Sequence, residues 1–255
     1  KSHLRNASME KIINDFTINI ATANGTGSQS ANLILLNSLY RMGTHVSGKN
    51  LFPSNIAGLP TWYIVRVSDH GYQAPGDETH IQVIMNIDTW AEDLAELKPG
   101  TVVIYNGDVK APVERKDLIL YPAPMTSMAR KINPKLAKMV SNMIYVGIMA
   151  EMLEIPQEIV EEAISKQFNG KEKAIEINSQ ASLMGREHFK DNCEKKDSYY
   201  VEAREKNKKR FLIEGNEALA LGCVYGGVNM LSWYPITPSS SVAEAIEEYV
   251  DKLRL

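Results

Sequence analysis

FTINIATANGTGSQSANLILLNSLYRMG, residues 16–43, decides the fold. Phe16 to Ala23 set β-branched and apolar residues close to alternation, the period of a strand. Asn24 to Ser30 are small and polar and make a loop. From Ala31 to Met42, the apolar Leu33, Leu36, Leu39 and Tyr40 fall near the helical period, and Gly43 suits a C-terminal cap. Strand, glycine loop and helix in this order open an α/β unit.

Working outward, the alternation continues. Strands are predicted at Trp62–Val67, Ile81–Asn86, Thr101–Tyr105 and Leu118–Tyr121, with a helix at Thr89–Leu97 that stops at Lys98-Pro99-Gly100. The fold class expected is therefore α/β, a three-layer domain. Asn50 to Thr61 lacks periodicity, and its two prolines and glycine predict a loop of fixed shape. Lys135–Leu153 reads as a long apolar helix in which Met139, Met143 and Met149 serve packing. Pro156 opens a helix to Gln167, and Lys173–Met184 reads as another.

Residues 191–210 hold twelve charged side chains without apolar periodicity, the composition of a solvated linker. Beyond it lie a helix at Asn216–Tyr225 closed by Gly226-Gly227, a strand-like run Val228–Trp233, a proline turn and a serine-capped helix Val242–Leu253. The expected organisation is a first domain over 1–190, a linker over 191–210, and an incomplete second domain over 211–255. So short a second segment buries too little surface to stand alone, which makes the chain a fragment or part of a longer subunit.

Composition narrows the function classes. The 255 residues are 44% hydrophobic and 23% charged with net charge −3, so no basic surface argues for nucleic acid. No apolar run is long enough for a membrane span, the first residues lack the apolar core of a secretory signal, and a cytoplasmic location is expected. Cys193 and Cys223 are expected as reduced thiols. Two thiolates cannot hold an iron–sulfur cluster, which takes four, so any cluster must be ligated elsewhere. His3, His45, His70, His80 and His188 show no metal-ligand spacing, and no metal site is expected.

Three stretches carry candidate chemistry. Gly25-Thr26-Gly27-Ser28-Gln29 offers backbone N–H groups at a helix N-terminus, either as a tight structural turn or as a phosphate cradle. It matches neither GxGxxG nor the P-loop pattern. The loop from Lys49 to Trp62 holds Ser54, Asn55 and Thr61 on stiff backbone, as binding groups or as a connection that packs Phe52 and Trp62. In YPITPSS, Pro235 and Pro238 fix their own φ and keep Tyr234 and Thr237 extended, which presents the Thr237 hydroxyl ahead of a helix N-terminus. That suits a carboxylate; a plain turn is the alternative.

Together, GTGSQSAN after a strand, GKNLFPSNIAGLPTWYIVRVS, and YPITPSS after EGNEALALGCVYGG resemble the α subunit of 2-oxoacid:ferredoxin oxidoreductases, most closely the 2-oxoglutarate type. The resemblance implies a γ domain followed by the start of a thiamine-diphosphate-binding (pyrimidine) domain. It departs from the family's GxGGQG loop at Ser28 and Ser30. The implied reaction is oxidative decarboxylation of 2-oxoglutarate to succinyl-CoA, with electrons passing through iron–sulfur clusters to ferredoxin. Thr237 would bond the substrate carboxylate or cofactor, positioned by Tyr234, Pro235, Ile236 and Pro238, with Ser54 and Asn55 facing the substrate. Gly25, Thr26, Gly27, Ser28 and Gln29 are the implied contact for coenzyme A. Thiamine diphosphate's diphosphate, Mg2+ and [4Fe-4S] are expected on a β subunit, in an (αβ)2 assembly. The glutamate that activates the aminopyrimidine is expected beyond Leu255, since Glu244, Glu247 and Glu248 belong to the helix after the turn. Arg66 is either a reader of the distal carboxylate or a surface strand residue. Readings left open are a pyruvate, branched 2-oxoacid or indolepyruvate enzyme, and a non-catalytic CoA- or nucleotide-binding module.

Overall fold

The structure is a computed structural model that describes residues 10–52, 56–109, 114–236 and 238–253. It divides into two compact units, Lys1–Lys208 and Lys209–Leu255.

The first unit is built on a six-stranded sheet of order β3-β4-β2-β5-β6-β7. The strands are β2 (Asp15–Ala23), β3 (His45–Leu51), β4 (Pro60–Ser68), β5 (Ile81–Ile84), β6 (Val102–Asn106) and β7 (Ile119–Ala123). β2, β5, β6 and β7 run parallel, and β4 and β3 join antiparallel at one edge. Registers put Ile18, Ile20, Val65, Val83 and Ile104 on one face, all fully buried. The α1 helix (Ser28–Arg41) covers that face, with α3 (Met125–Ile132), α4 (Ala137–Met152), α5 (Gln157–Gln167) and α6 (Glu172–Asn192) stacked on it and on one another. On the opposite face Ile84 and Val103 pack against Trp90, Leu94 and Leu97 of α2 (Trp90–Ala95) and its end. Helices on both faces make the expected three layers.

α4 is apolar nearly all round because it is buried nearly all round, from Val140 to Met152. Its crossing with α6 uses two glycines. A Cβ on Gly147 would stand 1.8 Å from the Ser182 carbonyl oxygen, and one on Gly185 would stand 2.1 Å from that of Ile144.

Several elements differ from expectation. β3 replaces the start of the fixed loop; its polar residues sit on an exposed edge, and Gly48 makes room for the Tyr63 hydroxyl, so no apolar alternation announces it. α3 goes unannounced in the sequence, and α6 continues past Met184 to Asn192. Residues 193–207, expected as a solvated linker, lie against the first unit. β8 (Tyr199–Tyr200) pairs with β1 (Ile12–Ile13), Asp197 is buried, and Val201 is 4% exposed.

The second unit consists of α7 (Gly215–Tyr225) and α8 (Ser239–Leu253), joined over Ala220, Ala245 and Ile246. Glu214 and Glu217 form a capping box on α7. Val228–Trp233 forms no strand: a strand needs a ladder partner, and the described part of this unit supplies only helices.

Candidate functional site

The parallel strands β2 and β5 are neighbours, yet their chains leave the sheet toward opposite faces. β2 runs into α1 on one side, and β5 runs toward α2 on the other. Such switch points, outside the carboxyl ends of the strands, are where open α/β sheets bind ligands.

The glycine loop stands at the carboxyl end of β2 and leads into α1. Gly25 (φ 76°) and Gly27 (φ 78°) both take left-handed backbone, which a side chain would strain. The Thr26 hydroxyl donates to the Ala23 carbonyl at 2.7 Å, tying the turn to the end of β2. The Asn142 amide of α4 donates to the Thr26 carbonyl at 2.8 Å, and the Tyr145 hydroxyl donates to Asn32 at 2.7 Å. Gly27 caps α1 with no side-chain hydrogen bond, and no acidic residue sits in the first turn. The N–H groups of this 14-residue helix thus meet no neutralising side chain. Gly25 and Gln29 are exposed, while Thr26 and Ser28 are buried. Behind the loop, a largely apolar cleft of about 160 Å3 is lined by Gly27, Ser30, Met139, Met143, Phe168 and Ile177.

Asn86 to Asp93 follow the carboxyl end of β5, where the sequence predicts only a strand end and a helix. The Asn86 side-chain oxygen accepts from the Asp88 N–H at 3.1 Å. Asp93 accepts from Trp62 Nε1 at 2.8 Å and from the Thr89 hydroxyl at 2.7 Å. Burial pushes its carboxyl above the ordinary carboxylate range, against those two bonds. Among the described residues the buried side-chain atoms Thr22 Oγ1, Asn86 Nδ2 and Trp90 Nε1 have no hydrogen-bond partner. The Thr89–Asp93 spacing of four residues is the signal that could have marked this stretch.

The other predicted residues divide. Ser54, Asn55 and Thr237 lie outside the described residues. Thr61 is described and donates to the Leu51 carbonyl at 3.1 Å, which ties the loop ends together. Tyr234, Pro235, Ile236 and Pro238 are exposed. Their turn is held by the Ser239 hydroxyl, within 2.7 Å of the Tyr234 carbonyl and 2.6 Å of the Ile236 carbonyl. The Asn216 amide adds bonds to the Pro238 carbonyl and the Ser241 hydroxyl. Glu244, Glu247 and Glu248 sit on α8, exposed.

Arg66 pairs with Asp15 within the sheet, its side chain 12% exposed. His80 Nδ1 accepts from the Thr17 N–H at 3.0 Å, and burial holds its pKa below the usual value. Both cysteines are free. Among the described residues no three His, Cys, Asp or Glu side chains converge as metal ligands. A [4Fe-4S] cluster takes four thiolates, and the two cysteines of this chain do not supply them. Among the described residues no helix is long and apolar enough to cross a membrane.

Comparison with known proteins identifies what the chain is similar to. The family described as pyruvate ferredoxin/flavodoxin oxidoreductase matches residues 17–188. The α subunit of 2-oxoacid:ferredoxin oxidoreductase 2 from Aeropyrum pernix is 23% identical over 276 residues, covering 92% of this chain and 43% of its own. The structure of 2-oxoglutarate:ferredoxin oxidoreductase from Magnetococcus marinus, with 2-oxoglutarate, coenzyme A and succinyl-CoA bound, superposes with a TM-score of 0.82. It is 27% identical and covers 94% of this chain and 42% of that one. The chain therefore spans less than half the length of either relative. A keto/oxoacid ferredoxin oxidoreductase γ subunit from Geobacter sulfurreducens shares the fold, with a TM-score of 0.56 at 19% identity over 68% of this chain and 96% of its own.

Proposed function

The chain belongs to the pyruvate ferredoxin/flavodoxin oxidoreductase family, and on that premise we propose that it is part of the α subunit of a 2-oxoacid:ferredoxin oxidoreductase acting on 2-oxoglutarate. The observation that carries the reading is the glycine turn at the switch point. It is fixed by two left-handed glycines and by Asn142, and it opens a helix whose N-terminus no side chain neutralises. Such a terminus favours an anionic group. We assign Gly25, Thr26, Gly27, Ser28 and Gln29 to the phosphates of coenzyme A, the ligand carried by the Magnetococcus marinus neighbour.

In the second unit, residues 211–255 form the start of the thiamine-diphosphate-binding domain. Thr237, in the run with Tyr234, Pro235, Ile236 and Pro238, is assigned to the cofactor and the substrate carboxylate. Ser54 and Asn55 contribute to substrate binding from the loop of the first unit. When bound, thiamine diphosphate supplies the carbon nucleophile for decarboxylation; the protein's part is to orient and to supply polar groups. Mg2+ and [4Fe-4S] are assigned to a β subunit, in an (αβ)2 complex that reduces ferredoxin in the cytoplasm. Arg66 is engaged with Asp15, so the group that reads substrate length lies elsewhere.

The test is to purify the α chain together with its β partner and follow reduction of a dye acceptor. Activity that needs CoA and is highest with 2-oxoglutarate supports the reading. Activity highest with pyruvate, a branched 2-oxoacid or indolepyruvate overturns the substrate assignment alone. CoA binding without turnover of any 2-oxoacid leaves the non-catalytic module.

A further inference from the structure

We propose that residues Cys193–Asn207 are a locked strap that closes the first unit, with Lys195, Asp197 and Tyr121 as its latch, and that backbone freedom between the two units is confined to the few residues after Asn207. A run so rich in charge would ordinarily wave in solvent. Here Lys195, Asp197, Arg204 and Lys206 are each paired, and backbone amides along the run are bonded to the first unit.

The latch comes first. The Asp197 side chain is fully buried. It accepts from Lys195 Nζ at 2.6 Å, from the Tyr121 hydroxyl of β7 at 2.9 Å and from the Tyr199 N–H at 3.1 Å. Lys195 Nζ also donates to the Met152 carbonyl at the end of α4 at 2.7 Å and to the Tyr199 carbonyl at 2.9 Å. The Tyr121 hydroxyl in turn accepts from the Lys196 N–H at 2.6 Å. Each partner of this buried charge pair thus has its remaining hydrogen-bonding capacity met, the condition under which such a pair holds.

Further along, the Val201 N–H donates to the Leu153 carbonyl at 3.0 Å. Asn14, in left-handed backbone (φ 53°), brackets Glu202: its amide donates to the Glu202 carbonyl at 2.9 Å and its oxygen accepts the Glu202 N–H at 3.1 Å. The Arg204 and Lys206 N–H groups donate to the carbonyls of Met42 and Gly43 at the end of α1. The fit there is close: a Cβ on Gly43 would meet the Arg204 carbonyl oxygen at 1.7 Å. Arg204 and Lys206 both pair with Asp69, which holds its carboxyl below the usual range. The Asn207 amide donates to the carbonyls of Tyr40 and Thr44. Past this point Lys208, Lys209, Arg210 and Phe211 are exposed, and the boundary between the units falls at 208/209.

The strap carries Lys195, Lys196, Arg204 and Lys206, and the exposed run carries Lys208, Lys209 and Arg210, so trypsin tests the proposal directly. In brief digests of the whole protein, read by intact mass, the first cuts should fall at 208–210, and cuts inside the strap should be at least about tenfold slower, as follows when cleavage tracks local opening. Tyr121→Phe and Lys195→Met should each raise the rate at Lys196 about tenfold or more while leaving the 208–210 rate unchanged. Hydrogen exchange on the unaltered protein needs no variant to fold: the amides of Val201, Glu202, Arg204 and Lys206 should exchange far more slowly than those of 209–211. Wild-type strap cuts as fast as those at 208–210, unchanged rates in both variants, or equal exchange across 201–211 would each overturn it.

Discussion

Adding one methyl group to Gly147 probes the α4–α6 crossing most directly. The new Cβ would stand 1.8 Å from the Ser182 carbonyl oxygen, and its counterpart on Gly185 would stand 2.1 Å from that of Ile144. A carbon–oxygen contact needs about 3.3 Å, so the helices would have to separate by roughly 1.5 Å at the crossing. Both sides of the clash are backbone, and no rotamer change can relieve it. A radial gap of even about 0.5–1 Å forfeits a quarter to a half of each dispersion contact along the seam. Overpacking typically costs about 1–3 kcal/mol, and the backbone nature of this clash places it at the upper end. Alanine is intrinsically better in a helix than glycine by about 1 kcal/mol, so Gly147→Ala should lose a net ~2 kcal/mol. For a domain of this size that lowers Tm by about 4–8 °C.

The assay is thermal and urea unfolding of the purified protein, with Gly222→Ala as the internal control. Gly222 is also helical, but a Cβ there meets nothing within 4 Å, so that variant should gain up to about 1 kcal/mol. The double variant Gly147→Ala/Gly185→Ala should lose less than the sum of the singles, since one separation of the helices relieves both clashes. Gly147→Ala and Gly185→Ala behaving like Gly222→Ala, unchanged or more stable, would refute the reasoning.

Further outcomes can be checked in the same preparations. In the αβ enzyme, Gly25→Val should strain the left-handed turn by about 1–2 kcal/mol and weaken CoA binding roughly tenfold by calorimetry; unchanged affinity would remove the loop from the CoA site. Thr237→Ala should lower kcat/KM for the 2-oxoacid roughly 10- to 100-fold, the worth of one hydrogen bond to a charged group, and wild-type kinetics would show that the hydroxyl does not touch the reacting groups. His80 titrates below its ordinary value because burial disfavours its charge and its Nδ1 accepts from Thr17. The unfolded chain therefore binds the proton first, and His80's contribution to stability, full above the ordinary histidine pKa, should fall as the pH drops below it. His80→Gln should flatten that part of the stability profile; an unaltered profile would assign the acid loss to other groups.

The elements that the sequence makes legible are those in which burial and period coincide. β2 and α1 read correctly because Ile18, Ile20, Leu35 and Leu39 are all fully buried and their spacing shows it. β3 is hidden because an exposed edge strand is polar, and Gly48 marks room for a tyrosine hydroxyl instead of a turn. α6 runs past the expected end at Met184, and Gly185 just beyond it lies where the helix approaches α4 closely. The strap escapes composition altogether: Asp197 and Lys195 count as solvent-seeking charges until each is placed beside the other under Tyr121. At the candidate site, the glycine turn is visible as a motif. The Asn86–Asp93 stretch is not, because only the parallel pairing of β2 with β5 sets the two strand ends side by side.

The pairing of β1 with β8 sets a timetable for synthesis. Ile12 meets Tyr199, and Asn14 meets Glu202. At about 5–20 residues per second, β1 emerges some 10–40 s before its ladder partner β8 exists. The central sheet has no such delay, since β2 finds β4 and β5 in the next stretch of chain. The first unit should thus build its sheet during translation and close last. A ribosome stalled before Lys195 would hold out a nearly complete domain with Tyr121 and the end of α4 still unfastened, a form that chaperones and proteases can tell from the finished one.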